Sequence, residues 1–483
     1  MSSVRSLYKD SFIYGLSTVV PKLLNYLLVP LHTYIFKNPQ QYGIVNELYA
    51  YLTFLLILMT FGLETGYFRF VNKHKNSENI YTTVFYFLVI TSVAFFLFFC
   101  FSANSIASSL GSLYHPLYIT TLAGVISLDA MMAIPFAKLR NDNRPILFSF
   151  LKIIGVVVNV LLNIIFYLVI PRKVLIGLIP GVDIIYYIFL SNLVQNVVLF
   201  LLVMIFTGLP KIRIKVDTLK EILKYSLPLL VAGLAGTTNE AFDRIFIKYL
   251  IPDTDKALYL LGIYGANVKL GVILVLFTQM YRFAAEPFFF KINNNEEHNK
   301  VYGKSLKYFI LFCVTISILI SFNLPILKYF IGSNYRNHMS VVIIMLIANS
   351  LSGIFFNLSF WYKLTDKTMY GLKYVLIGAG STIILNFILI PLINIYGAAL
   401  SRLVSYAIMV AISYYEGRNT GLISLEKKNL KKYALILGSI VLISVLVYLL
   451  NPILAMVFVD LSMVYFVLTF MKSEKIKLNG SKS

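Results

Sequence analysis

The sequence predicts an all-α, polytopic membrane protein of about 14 transmembrane helices. Three observations carry this. Of 483 residues, 59% are hydrophobic and only 13% charged, with a mean hydropathy of +0.80, far from the composition of a soluble domain. Apolar runs near the ~20 residues needed to cross a bilayer follow one another from end to end. The chain also repeats itself at an offset of 222 residues, and the repeat aligns charged residues inside hydrophobic helices: Lys22 with Arg244, Glu47 with Lys269, Glu64 with Glu286, Arg69 with Lys291. The apolar blocks are solid rather than alternating, which excludes a transmembrane β-barrel.

The expected spans lie near 10–36, 42–70, 81–103, 116–138, 145–170, 183–207, 225–251, 258–290, 304–324, 338–363, 370–391, 395–415, 432–450 and 452–471. Arg5, Lys9 and Asp10 precede the first without a small-residue cleavage pattern, so it is expected to stay as a helix rather than act as a signal peptide. The net charge of +21 invites a nucleic-acid partner, but its distribution argues against one. Alternate connections are basic: Lys73/Lys75, Lys138/Arg140/Arg144, Lys211/Arg213/Lys215, Lys291/Lys300, Lys363/Lys367 and Lys427/Lys428/Lys431/Lys432. The intervening segments 103–116, 391–396 and 450–452 hold no Lys or Arg. This is a positive-inside pattern, with both termini expected in the cytoplasm.

Uncharged landmarks share the repeat register: Pro30 with Pro252, Tyr42-Gly43 with Tyr264-Gly265, Leu48 with Leu270, Phe68 with Phe290. Leu161-Leu162-Asn163 follows at offset 223 with Ile384-Leu385-Asn386. Six spans per copy is an even number, so both copies start from the same face, as in a parallel repeat about an axis along the membrane normal. The expected organisation is an N-terminal lobe 1–222, a C-terminal lobe 223–430, and a remainder 431–483 holding two further helices and a cytoplasmic tail.

No cofactor or metal is expected. Cys100 and Cys313 sit in apolar stretches, and His32, His74, His115, His298 and His338 show no ligand spacing. Gly303-Lys304-Ser305 resembles the end of a phosphate loop, but His298 stands where its first glycine is required.

Two stretches carry a family resemblance. One is Gln41-Tyr42-Gly43 through Phe61-Gly62-Leu63-Glu64-Thr65-Gly66-Tyr67-Phe68-Arg69-Phe70; the other is Asn239-Glu240-Ala241-Phe242-Asp243-Arg244 followed by Gly262-Ile263-Tyr264-Gly265. With the six-plus-six-plus-two plan, they resemble the polysaccharide flippase branch of the multidrug/oligosaccharidyl-lipid/polysaccharide exporter superfamily. The resemblance implies a central cavity lined by the first, second, seventh and eighth helices.

A charge near the bilayer centre costs about 2.5–3.5 kcal/mol on insertion scales, so each internal charge is expected to face a cavity or a partner. Lys22 has no acid within four positions, and Asn25, Tyr26 and Thr18 share its helix face. It reads as a substrate contact, or else as one half of an interhelical ion pair. Arg244 is its repeat equivalent on the opposite wall, although Glu240 at i−4 and Asp243 beside it offer local pairing. Lys22 and Arg244 together would clamp a diphosphate. Lys152 reads as a cavity cation near the cytoplasm or a snorkelling anchor. Arg282 reads as a ligand contact or the partner of Glu286 at i+4, and Arg402 as a shallower cation. Asp129 and Asp183 read as an inward polar contact and a helix-end residue.

Glu47 and Lys269, of opposite sign and equivalent in the repeat, are expected either to pair across the axis as a gate or to pair within their own lobes. Glu64, Glu240, Asp243 and Glu286 are the candidates for ion coupling. The function implied is alternating-access flipping of polyprenyl-diphosphate-linked oligosaccharide for capsule, exopolysaccharide or O-antigen assembly, without covalent chemistry. Expected partners are the lipid-linked glycan, membrane lipids, and a polymerase or glycosyltransferases. A peptidoglycan lipid-precursor flippase and a cation-coupled multidrug exporter are the alternatives. A polymerase or lipid-linked glycosyltransferase would need a substantial outer loop with acids or arginines, and the loops here are short and bare.

Overall fold

In a computed structural model of the chain, residues 15, 19–73, 77–212, 214–289, 295–418, 420, 423 and 427–474 are described. Lys291, Phe290, Lys75, Arg213 and the N-terminal charges Arg5, Lys9 and Asp10 lie outside them.

No strand occurs among the described residues, and the described part of each of the 14 expected spans is mainly helix. The first span is α1 (residues 19–26) and α2 (Leu28–Ile35), broken at Leu27 ahead of Pro30, whose ring lacks the N–H to bond Tyr26. The second is α3 (Pro39–Thr60) and α4 (Leu63–Lys73), joined through Phe61 and Gly62 at positive φ. Then come α5 (Ser77–Leu110), α6 (Pro116–Asn141), α7 (Pro145–Ile164), a short α8 (Arg172–Leu178) that the sequence did not announce, and α9 (Tyr186–Thr207). The second half holds α10 (Val216–Leu250), α11 (Thr254–Leu270), α12 (Val272–Phe289), α13 (Asn295–Phe322), α14 (Leu324–Leu327), α15 (Ser340–Leu364), α16 (Met369–Ile393) and α17 (Ile395–Arg418). The hairpin α18 (Lys427–Leu450) and α19 (Pro452–Ser473) completes the chain.

Eleven of these helices are long and apolar enough to cross a membrane, and α11 with α12, bent by 50° at Gly271, makes a twelfth. The remaining expected spans, the first and the seventh, do not meet that criterion among the described residues. α10 carries Glu240, Asp243, Arg244 and Lys248 in its second half.

α5, α6, α7 and α9 pack together with α3 against α6, and α10, α11, α15, α16 and α17 form a second group, which α12 and α13 join through α15. We call these the N- and C-terminal lobes. They meet chiefly where α3 lies along α11 and α10. Two glycines permit that approach: a Cβ at Gly43 would fall on the Leu258 carbonyl, and one at Gly262 on the Pro39 carbonyl. α18 and α19 pack on each other and on α13. A Lys307–Glu474 ion pair (2.8 Å) fixes the hairpin's end, and Tyr308 and Tyr433 donate to the same carboxylate.

Candidate functional site: a cationic cavity between the lobes

Where α3, α10 and α11 meet the first span, α7 and α9, a cavity of about 350 Å³ opens in the membrane-spanning region. The N-terminal lobe supplies an amide-rich wall of Asn25, Asn46, Asn159, Asn163 and Asn192 with His32. These groups hold one another in place. His32 Nε2 lies 2.8 Å from Asn163 Oδ1, Asn163 donates to the Asn159 carbonyl (2.8 Å), and Asn159 donates to Asn25 Oδ1 (3.1 Å). The C-terminal lobe supplies Arg244 and Lys269, and no carboxylate belongs to the lining.

Arg244 does not form the local ion pair with the Glu240 carboxylate that its i−4 spacing offered. Its Nη1 donates to the Glu240 backbone carbonyl (3.3 Å) and lies 3.5 Å from Asp243 Oδ1. Asp243 is itself committed, accepting from the Tyr264 hydroxyl and from the Arg244 backbone N–H. Arg402 reaches the same carbonyl from α17 (3.1 Å), so two guanidiniums converge on Glu240 O. The Glu240 side chain stays exposed and has no ion pair among the described residues. Lys269 makes neither a hydrogen bond nor an ion pair among them, although it lies in the cavity wall. An unpaired ammonium beside a guanidinium, facing amides, is an arrangement that attracts an anion.

Several sequence expectations are redistributed. Lys22 does not join Arg244 at the cavity. On α1, before the break at Leu27, the exposed Lys22 ammonium donates to Gln279 Oε1 of α12 in the other lobe (2.9 Å). Asn25 does line the cavity, but Tyr26 stacks on Phe330 with ring centroids 4.7 Å apart. Lys152 lies 4.0 Å above the Phe136 ring with Asp129 as its acidic neighbour, inside the N-terminal lobe and away from the cavity lining. Arg282 stands 4.2 Å over Phe356 and 3.9 Å from Glu286.

Glu47 and Lys269 do not pair with each other. Glu47 crosses the lobe boundary to Lys248 of α10 (2.9 Å), while the Tyr114 hydroxyl donates to its other oxygen. Lys248 also donates to the Leu110 carbonyl (3.0 Å) and to Tyr114 (3.1 Å). The repeat itself explains the exchange. Lys248 is equivalent to Tyr26, so the operation that carries Glu47 onto Lys269 carries its partner onto the first helix. Lys269 accordingly faces that helix and the cavity.

Glu64 and Glu286 keep their equivalence down to their partners. Glu64 pairs with Arg140 of α6, and Glu286 with Lys363 of α15 (2.7 Å), at offsets of 222 and 223. Both are ties within a lobe.

The Lys-poor end is closed by this Glu47–Lys248 pair and by a clasp on the end of α2. There Gly332 N donates to Thr33 Oγ1 (3.1 Å), Tyr335 to the Phe36 carbonyl (2.7 Å) and Arg336 to the Tyr34 hydroxyl (3.1 Å). At the Lys-rich end the lobes touch along two seams. One is α4 on α10, with Arg69 4.1 Å over Tyr225; the other is the Lys22–Gln279 contact.

Sequence reasoning passed over Lys248 and the asparagine wall. Signals for both existed: Lys248 lies at i+4 from Arg244 on one helix face, and Asn159 and Asn163 share a face of an otherwise apolar helix.

Comparison with known proteins places this architecture. The fold matches a lipid II flippase MurJ in an inward closed conformation, with a TM-score of 0.70 at 15% identity over 95% of this chain and 99% of that one. It also matches an inward-facing multidrug resistance MATE family transporter of the MOP superfamily (TM-score 0.63, 14% identity, 88% and 95% covered). An outward-facing MATE transporter scores 0.54 at 12% identity, with 87% and 95% covered. No curated protein matches the chain in sequence. The family model described as polysaccharide biosynthesis protein matches residues 36–340. The chain is therefore a multi-pass membrane protein with the fold of the MOP superfamily, and it belongs to the polysaccharide biosynthesis protein family.

Proposed function

We propose that the chain is an alternating-access flippase for polyprenyl-diphosphate-linked oligosaccharide, serving surface polysaccharide assembly at the bacterial inner membrane. The observation that carries this reading is the unpaired Lys269 beside Arg244 in a cavity whose lining holds no carboxylate. A diphosphate supplies the missing negative charge, Arg244 can bind it in bidentate fashion, and the amide wall offers further donors. The prenyl chain stays in lipid. At about 350 Å³ the cavity is near the lower end of small-molecule pockets, ~300–1,000 Å³, so it suits the head group better than a whole glycan. The lobes then part around the sugars.

Positive-inside charge assigns the Lys-rich end to the cytoplasm, so the closed end faces outward and loading is cytoplasmic. The exposed Lys22–Gln279 contact marks the reading's loading side, with Lys22 as its first cation. The reaction is translocation alone, with no bond made or broken. Lipid-linked glycan and the enzymes that build or polymerise it are the partners this reading requires.

A cation-coupled multidrug exporter would want an acid in the cavity, and the lining offers none. In proteoliposomes holding a defined diphosphate-linked glycolipid, Arg244→Ala and Lys269→Ala are each expected to slow flipping about 10–100-fold, as for loss of a charged hydrogen bond of ~1.5–3 kcal/mol. Full rates in both variants would discard the reading. Lipid II flipped faster than the oligosaccharide substrate would reassign it to the cell-wall precursor.

A further inference from the structure

Between the C-terminal hairpin and the body of the C-terminal lobe runs an apolar trough of about 1070 Å³. Its floor is α13, which packs against α15 on one side and α18 on the other. Ile343 and Ile347 of α15 face Val445 and Leu449 of α18 across it, and Ile347 and Leu449 are 46% and 77% exposed. Apolar surface facing lipid is ordinary in a membrane protein. A trough of this volume, above the usual ~300–1,000 Å³ of small-molecule pockets, is less so.

The only charged residues in its lining are two cations, Lys328 and Arg336, at the Lys-poor end of the molecule, where cations are scarce. Arg336 is fixed in place. Its Nε donates to the Lys328 and Ile331 carbonyls (3.0 and 3.1 Å), and its guanidinium lies 4.7 Å over Tyr329. The Lys328 ammonium has no hydrogen bond or ion pair among the described residues, with the Tyr329 ring 5.4 Å away. An oriented guanidinium and an unpaired ammonium at the mouth of a long apolar trough match an anionic head group carrying acyl chains.

We propose that the trough holds a resident anionic diacyl phospholipid, its phosphate on Lys328 and Arg336 and its chains along α13 between α15 and α18. This goes beyond the transport reading and does not depend on which glycan is moved. It has a mechanical consequence. Arg336 also donates to Tyr34 at the end of α2, and residues 332–335 clasp the same helix end. A lipid bound there braces the segment that closes the Lys-poor end.

The test is native mass spectrometry of the full chain, purified in detergent and equilibrated with phosphatidylglycerol or phosphatidylcholine. The wild type is expected to retain one phosphatidylglycerol at least about tenfold more tightly than phosphatidylcholine, the preference two cations near the surface confer. Lys328→Gln should lower that preference several-fold with a melting temperature nearly unchanged, because among the described residues the Lys328 side chain makes no hydrogen bond or ion pair and has only the Tyr329 ring beside it. Val445→Trp, which fills the trough without altering charge, should weaken retention of both lipids. Equal retention of the two lipids by the wild type, or unaltered retention in Val445→Trp, would overturn the proposal. So would displacement of the bound lipid by glycan-free polyprenyl diphosphate, which would give the trough to the substrate's own tail.

Discussion

Glu47 on α3 and Lys248 on α10 form a 2.9 Å ion pair across the lobe boundary, with side chains 0% and 3% exposed. Two charges so far from water are held by mutual attraction and by Tyr114 and the Leu110 carbonyl. Such a pair adds little net stability over an apolar isostere, but removing one partner strands the other at a cost of about 3–5 kcal/mol. Glu47→Ala or Lys248→Ala should therefore open the Lys-poor end. Distance measurements between spin labels on the two lobes should show that end separated in each single variant. The charge-swapped double variant should restore the closed population, and additive defects would remove the pair from the gate.

Lys22 and Arg244 are equivalent in the repeat but not in the structure, so their variants should differ. Lys22→Gln keeps a hydrogen-bonding group for Gln279 and removes only the exposed charge. It is expected to slow transport less than about tenfold, mainly through apparent substrate affinity, since exposed electrostatic contacts are worth roughly 0–1 kcal/mol. Titrating transport against substrate concentration in Lys22→Gln and Arg244→Gln separates the two roles.

Glu64 and Glu286 each tie two helices of one lobe, and both are partly exposed. Glu64→Gln and Glu286→Gln should cost at most about 1 kcal/mol of stability and leave any dependence on a proton or sodium gradient unchanged. Transport under imposed gradients tests this. Loss of coupling in either variant would return them to an ion-carrying role.

Glu474, just past the end of α19, reports on hairpin docking. Burial pushes its carboxyl up, but hydrogen bonds from Lys307, Tyr433 and Tyr308 outweigh this and hold it below its ordinary value of 4.5. A depressed carboxyl stabilises the folded form above the unfolded pKa, and that contribution is lost as pH falls through the folded value. Docking of α18 and α19 should therefore hold at neutral pH and loosen below about pH 4. Glu474→Gln should show the loosened state already at pH 7, at a cost of about 1.5–3 kcal/mol. Limited proteolysis of the 418–430 connection across pH, in wild type and variant, reads it.

Hydropathy and charge are local properties, and they were enough for most of the architecture. A run of apolar residues has no soluble alternative, so the described part of each expected span is mainly helix, and 11 to 12 helices are long and apolar enough to cross a membrane. Boundaries shifted, with α5 extending over 34 residues, and the structure adds the short α8 and the breaks at Leu27 and Gly271. A charge placed inside such a run must find a partner or a cavity, which is why the residues of interest were visible beforehand. Arg244 and Asn25 are among the residues that line the cavity.

What the sequence by itself determined is thus the membrane class and most of the charges that lie on apolar helices, though not Lys248. Only the tertiary structure decided which charge meets which. A two-fold relation makes residues equivalent without making them neighbours, so Glu47 meets Lys248 while its equivalent Lys269 has no hydrogen bond or ion pair among the described residues. The helix breaks at Leu27 and Gly271 have no counterpart in the other half, and Lys22 lies outside the cavity lining that Lys269 joins. Direction of a side chain depends on every residue between it and the break, and no short spacing in the sequence records that sum.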